Sequence, residues 1–238
     1  MQSGRAGIRY ESGQRGAIIM ERHAMAMKIK EGQMEKYRRT LGKLWPELTA
    51  FLDRNGIRNF SIWNAENLIF LYYECREGME TFLSEVEKEE KERFVSEMCD
   101  ILTWISTPGK EMRLMYHNFG IIRECKELIR HRVFITKLKD GCEEEYKARH
   151  DRLIEQRGEA ADPGPDSNFS IWSAGGYIFG YDEIDITMEQ EETPESRRQT
   201  IAWETRQLEI MDWITNDMDW MTGEHHSAIM RLAWHEGK

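Results

Sequence analysis

"NFSIW" at residues 59–63 returns unchanged at residues 168–172. The offset is 109 positions (168 − 59 = 109), and such self-similarity is read before any local pattern because it organises a whole fold. The same offset lays Tyr37 of "KYRRTLGKLWPELT" on Tyr146 of "EYKARHDRLIEQRG", and Gly32 of "MKIKEG" on Gly141 of "ITKLKDG". It also lays "NLIFLYYE", from Asn67, on "GYIFGYDE", from Gly176. Near the ends, "EMRLMYH" (Glu111–His117) matches "IMRLAWH" (Ile229–His235) at 118, so about nine residues precede the last segment of the second copy only (118 − 109 = 9). Blocks kept in one order mark a tandem duplication.

Each copy predicts the same elements. An apolar strand comes first, Ala24–Lys30 or Arg132–Leu138, and a helix starts after a Gly turn near Gln33 or Cys142. Two strands joined by a short polar or Gly-rich turn follow, Arg58–Trp63 with Asn67–Glu74, and Asn168–Trp172 with Tyr177–Ile184. A second helix is expected over Met79–Ile105 or Pro194–Met221, then a last strand, Glu111–His117 or Ala228–His235. This β-α-β-β-α-β order is the ferredoxin-like motif of the α+β class. One unit leaves a sheet face apolar, so the two are expected to pack sheet to sheet as a covalent pseudo-dimer. The expected boundaries are a disordered extension over 1–23, repeat 1 over 24–117, a link with a short helix over 118–131, and repeat 2 over 132–238. Met20, Met25 and Met27 are alternative starts, and the apolar stretch Ala17–Met20 is too short for a signal-peptide core.

Composition narrows the partners. A net charge of −10 repels phosphate backbones and argues against nucleic acid. No apolar run reaches the length of a membrane span. Cys75, Cys99, Cys125 and Cys142 show no C-x-x-C spacing, which fits reduced thiols, a cytoplasmic location and no metal ribbon. "EHH" (Glu224–His226) lacks a third ligand at metal spacing. The run "EVEKEEKERF" (Glu85–Phe94) reads as the solvated face of a helix.

"Y-x-x-x-H" on the first helix, "WPEL" behind it and "NFSIW" on the next strand resemble the L-rhamnose mutarotase family. That family carries a helical Tyr and, four residues on, a His, then W-P-E-L, an N-Y-x-I strand and a Trp pair on the second helix. The resemblance runs over nearly the whole chain past residue 24, as two family domains in tandem. It implies dimeric ferredoxin-like units that interconvert the anomers of L-rhamnose without a cofactor. The match is split between the copies. The first keeps Tyr37, Trp45, Pro46, Glu47, Leu48 and Asn59, but has Leu41 at the histidine position. The second keeps Tyr146, Arg149, His150 and Asn168, but reads "IEQR" in place of W-P-E-L. Phe60 and Phe169 replace the strand tyrosine that contacts sugar, and Phe94–Val95 replaces the Trp pair, with a single Trp213 lying nearby in repeat 2.

Mutarotation takes a proton from the anomeric hydroxyl and gives one to the ring oxygen, and an imidazole near neutrality can serve both directions. Tyr146 and His150, at i and i+4, project from one helix face. By position alone, His150 between Arg149 and Asp151 is a polar helix-surface residue. The family match makes it the catalytic candidate together with Tyr146, with Arg149, Phe169, Trp172 and Trp213 expected to bind the sugar. Tyr37, Leu41, Trp45 and Phe60 form the degenerate counterpart, where a leucine cannot transfer a proton. Trp45 beside Pro46 also reads as packing at a helix bend, and Trp63 and Trp172 as core. The leading expectation is a sugar mutarotase with at most one working site, in repeat 2. Its alternatives are a sugar-binding or scaffold relative without chemistry, and a ferredoxin-like monooxygenase or effector-binding domain, since a fold assigns no function by itself.

Overall fold

The computed structural model describes residues 20–79, 83–105, 108–123, 126–158, 163–214 and 229–237. Its elements are β1 (Met20–Ile29), α1 (Met34–Arg54), β2 (Arg58–Ala65), β3 (Leu68–Arg76), α2 (Glu85–Cys99), β4 (Leu102–Trp104) and β5 (Arg113–Asn118). The second copy supplies β6 (Ile129–Leu138), α3 (Glu143–Arg157), β7 (Asp166–Ala174), β8 (Tyr177–Asp185), α4 (Pro194–Gln207), β9 (Met211–Trp213) and β10 (Ile229–His235). The repeat offset extends to the pairing itself. β1 meets β3 antiparallel from Met20↔Arg76, and β6 meets β8 antiparallel from Ile129↔Asp185.

Two five-stranded sheets result, in the orders β10-β2-β3-β1-β4 and β5-β7-β8-β6-β9. Within the first, β1, α1, β2, β3, α2 and β4 form the ferredoxin-like unit, and α+β is the class of the whole. The chain divides into unit 1, Met1–Glu111 with Arg231–Lys238, and unit 2, Met112–Met230. No helix among the described residues is long and apolar enough to cross a membrane.

Several expected boundaries are corrected. The motif closes on short strands, β4 and β9, inside what reads in sequence as the second helix. That helix ends at Cys99 or Gln207, where Lys30 N–H donates to the Ile101 carbonyl (2.9 Å) and Lys139 N–H to that of Ile210 (2.9 Å), turning the chain onto the sheet edge. Three residues are too few to show strand alternation. The strands expected to close each motif are instead fifth strands lying in the other copy's sheet: β5 beside β7, and β10 beside β2. β1 starts at Met20, not Ala24, and β6 at Ile129, not Arg132, because β3 and β8 offer partners that far. Residues 119–123 and 126–128 hold no helix, and Pro46 sits inside an unbroken α1. The expected disorder of residues 1–19 lies outside the described residues.

The repeated asparagine explains how the fifth strands are held. Asn59 and Asn168 have φ of 50° and 52°, a left-handed conformation that asparagine tolerates better than most residues. Each sits at a bulge where pairing shifts register, between Arg58 and Ser61 or between Ser167 and Ser170. Thus each N–H leaves its own hairpin and donates outward, Asn59 to the Glu236 carbonyl (2.9 Å) and Asn168 to that of Phe119 (2.8 Å), just past β10 and β5. The side chains point into a buried network. Asn59 Nδ2 (2.9 Å) and the Tyr72 hydroxyl (3.1 Å) donate to Glu74 Oε1, and Asn168 Nδ2 (3.1 Å) and the Tyr181 hydroxyl (3.0 Å) to Glu183 Oε1.

Asn59→Ala is expected to cost roughly 2–4 kcal/mol, from left-handed strain and a buried carboxylate left short of a donor. Asn59→Gly, free of the strain, should cost less. Chemical denaturation of the two variants checks this, and equal losses would show that the backbone conformation contributes nothing.

Candidate functional site

In each unit the helices cover one face of the sheet, and the offset of 109 compares the two helix-facing layers position by position. Where unit 1 has Met27, unit 2 has Thr136; where it has Leu41, His150; where it has Tyr73, Asp182. On the second helix Val95 becomes Glu204 and Met98 becomes Gln207. The same architecture thus encloses an apolar layer in one unit and a polar one in the other.

In the apolar layer, Tyr37, Leu41 and Phe60 line a cavity of about 660 Å³ between α1, α2 and the sheet. Trp45 packs against this core beside Phe60, with ring centroids 6.1 Å apart. Burial pushes the Tyr37 hydroxyl upward, so it stays protonated.

In the polar layer, His150 is 4% exposed. Its Nδ1 lies 2.9 Å from the Tyr146 carbonyl, and a carbonyl only accepts, so Nδ1 carries the proton and Nε2 the free lone pair of the neutral ring. Tyr146 packs on the imidazole at 4.3 Å between centroids, and Tyr116 and Trp203 at 5.4 Å, the latter edge-on. Tyr116 comes from β5, so residues of both copies build the site. This enclosure lowers the pKa of His150 from 6.5 to about 4, because burial disfavours the cation more than the Tyr146 carbonyl and Asp151 favour it. The expectation of an imidazole titrating near neutrality is therefore corrected.

The carboxyls move the other way. Burial raises Glu204 to about 8, only partly opposed by Arg132. Burial also raises Asp182 to about 8, although Arg132 Nη2 lies 2.6 Å away; the guanidinium is half exposed and offsets only part of the desolvation. Burial pushes the Tyr146 hydroxyl upward, with a smaller contribution from Glu204, so it too stays a donor. At neutral pH the layer therefore holds an uncharged imidazole and two carboxyls, Glu204 and Asp182, shifted toward their protonated forms. Thr136 Oγ1 and both amide atoms of Gln207 are buried without a hydrogen-bond partner among the described residues. Leaving such groups unpaired costs about 1–3 kcal/mol each, a cost that a polar ligand would relieve.

The remaining candidates disperse. Phe169 lies in this layer, edge-on to Tyr116 at 5.5 Å. Trp213, on β9, packs against the same core. Arg149 is taken up in structure, donating to Glu145 Oε1 (2.9 Å), Glu209 Oε2 (3.0 Å) and the Arg206 carbonyl (2.5 Å). Trp172 stands on the opposite face of β7 from Ile171 and gives its Nε1–H to Ser170 Oγ (2.9 Å). Glu224–His226 lie outside the described residues. Sequence reasoning missed Tyr116, Thr136, Asp182, Trp203, Glu204 and Gln207. The signal for two of them was present: adding the offset to Phe94–Val95 gives Trp203–Glu204 (94 + 109 = 203), where the Trp pair was sought.

A family model described as L-rhamnose mutarotase matches residues 22–117 and again residues 131–235. The L-rhamnose mutarotase of Bacteroides thetaiotaomicron is 37% identical over 60 residues, 25% of this chain and 58% of that protein. That of Formosa agariphila is 40% identical over 55 residues, 22% of this chain and 53% of the relative. That of Shigella flexneri is 31% identical over 85 residues, 35% and 81% of the two chains. The chain thus spans little more than half the length of the first two relatives.

The low pKa of His150 has a stability consequence. Between pH 6.5 and about 4 the unfolded chain binds a proton that the folded one refuses, so stability falls as pH drops through that window. The full effect is about 3 kcal/mol, at about 1.4 kcal/mol per unit. His150→Leu, which installs the side chain of the first copy, should remove this loss. The stability gap between variant and parent should widen by about that amount from pH 7 to pH 4 in denaturant titrations. A gap independent of pH would mean that the ring is solvated.

Proposed function

The chain belongs to the L-rhamnose mutarotase family, and from that premise we propose that it interconverts the anomers of L-rhamnose or a closely related sugar at one site, in unit 2. The observation that carries this reading is the imidazole of His150 enclosed by Tyr116, Tyr146 and Trp203, its Nδ1–H on the Tyr146 carbonyl and its Nε2 lone pair left over, in a layer where burial also shifts Glu204 toward its protonated form. Groups whose surroundings push their pKa values apart are how one site supplies a base and an acid at the same pH. Unit 1 has Leu41 and Val95 at these positions and can supply neither.

The roles follow from the protonation states. Nε2 of His150 takes the proton of the anomeric hydroxyl while the bond from the anomeric carbon to the ring oxygen breaks. Glu204 gives its proton to that ring oxygen, leaving the open-chain aldehyde. The aldehyde turns, the ring oxygen's hydroxyl attacks the other face and returns its proton to the Glu204 carboxylate, and His150 returns its own to the former carbonyl oxygen. Both groups end as they began, so no cofactor is consumed. Tyr146 holds the imidazole in place by stacking, while Thr136 and Gln207 meet sugar hydroxyls with their unpaired groups. Trp203 and Phe169 offer aromatic faces to the sugar's C–H surfaces.

A second reading, sugar binding without turnover, draws on the 4% exposure of His150, since a ring so enclosed must be reached by the substrate. Exchange NMR on L-rhamnose and other 6-deoxy sugars separates the two. His150→Ala and Glu204→Gln are each expected to lower catalysed anomer exchange by roughly 10²–10⁴-fold, the usual worth of a general acid or base. Tyr146→Phe should cost less. A parent that binds sugar yet shows no exchange would establish the second reading.

The pH profile is the sharper check. Exchange requires neutral His150 and protonated Glu204, so the rate should hold between about pH 4 and about pH 8 and fall on either side. Glu204→Gln should abolish the alkaline limb in whatever activity remains. A rate that rises through pH 6.5 as an ordinary histidine deprotonates would refute the assignment.

A further inference from the structure

Metal ligands are sought in sequence by close spacing, but paired strands also bring distant residues to one face. Glu21 and His23 on β1 are two apart, so their side chains share a face of the sheet. Antiparallel pairing sets Glu21 opposite Cys75 and His23 opposite Tyr73 on β3, which puts Cys75 on that face too. The donor atoms converge. His23 Nε2 lies 3.2 Å from Cys75 Sγ and 3.9 Å from Glu21 Oε2, and all three donors lie within 4.8 Å of one another. Around a tetrahedral zinc ion, bonds of about 2.0–2.3 Å place neighbouring donors roughly 3.3–3.6 Å apart. Small rotations of these side chains reach that geometry.

The surroundings prepare each donor. Glu111 Oε1 lies 2.6 Å from His23 Nδ1, and a carboxylate accepts, so in the neutral ring Nδ1 carries the proton and Nε2 the lone pair. A carboxylate behind a ligating histidine fixes the tautomer and makes the imidazole a better donor. Tyr73 stacks on the ring at 4.7 Å between centroids and holds its plane. Gly78 N–H donates to Glu21 Oε2 (3.2 Å), which orients that carboxylate. Cys75 is buried, while the His23 and Glu21 side chains keep 13% and 12% exposure, so the cluster is sheltered yet within reach of solvent. All these residues belong to unit 1. The offset of 109 puts Arg130, Arg132 and Ile184 at the places of Glu21, His23 and Cys75, and none of these ligates a metal ion.

We infer that unit 1 binds one thiophilic divalent cation, of the class of zinc, on Cys75 Sγ, His23 Nε2 and Glu21 Oε2, with Glu111 positioning the imidazole. A thiolate and an imidazole select zinc and its neighbours over magnesium or calcium, which prefer oxygen ligands. Three protein ligands leave the fourth tetrahedral position to water. The thiol gives up its proton to solvent on binding, because the thiolate is the ligand. The ion ties β1 to β3 and, through Glu111, to the segment before β5. This site does not depend on turnover in unit 2, and its failure would leave that reading untouched.

The test uses the full chain, stripped with a chelator under reducing conditions and titrated with Co²⁺, a spectroscopic stand-in for zinc. One equivalent should bind with a near-ultraviolet thiolate-to-cobalt charge-transfer band and the visible bands of a four-coordinate ion. Zn²⁺ should erase both, and Mg²⁺ should erase neither. Cys75→Ser should abolish the charge-transfer band, whereas Cys99→Ser, at an exposed thiol, should leave it. Glu111→Ala should keep the band but weaken cobalt roughly 10–100-fold, the usual worth of a partner behind a ligand. His23→Gln should weaken it further. A parent without the band, a band that survives in Cys75→Ser, or unchanged cobalt affinity in His23→Gln or Glu111→Ala would each overturn the inference. Glu111 is an exposed side chain, so its variant carries the test without disturbing the core.

Discussion

The left-handed asparagine at each strand bulge is the constraint on which the rest of this architecture depends. At Asn59 and Asn168 the backbone steps out of register, so an N–H that would have served the hairpin is turned toward a fifth strand. A residue with a longer or branched side chain would meet strain there, and an alanine would leave the buried carboxylate of Glu74 or Glu183 with one donor fewer. The same asparagine thus sets the bulge, satisfies the carboxylate and holds the incoming chain. The fifth strand is not a passive edge: β5 brings Tyr116 against His150, so the site in unit 2 is built by both copies.

Desolvation does the remaining work, and it acts in opposite senses on the two groups that matter. The enclosure that makes a cation unfavourable on His150 makes an anion unfavourable on Glu204. Neither shift needs a special partner; each follows from water being absent. Arg132 and the Tyr146 carbonyl act against the shifts and only reduce them. In unit 1 the corresponding positions are Leu41, which is buried, and Val95, which is exposed, and what remains is a largely apolar cavity with the phenols of Tyr37 and Tyr73 in its wall.

The sequence by itself determined the duplication, the order of helices and strands, and the asymmetry between His150 and Leu41. These are one-dimensional facts: a constant offset, an alternation of polar and apolar residues, and a side chain that can or cannot hold a proton. The offset even placed Trp203 and Glu204, had it been carried through the second helix, because no insertion intervenes before β9. It could not show where that helix stops, since Leu102–Trp104 and Met211–Trp213 are as apolar as one more helical turn.

Tertiary structure alone decided which sheet each fifth strand joins and which protonation states the site holds. Strand exchange leaves no trace in local pattern, because β5 and β10 have the same alternation whichever edge they pair with. A pKa is likewise a property of surroundings. His150 beside Arg149 and Asp151 in sequence reads as a solvated helix residue, and only the closing of Tyr116, Tyr146 and Trp203 around it removes the water that would have kept it near neutrality. Arg149, one residue earlier, faces the end of α4 instead and spends its donors on Glu145, Glu209 and the Arg206 carbonyl. Spacing along a helix gives direction, but the neighbours that meet a side chain in that direction come from other elements, and they set its chemistry.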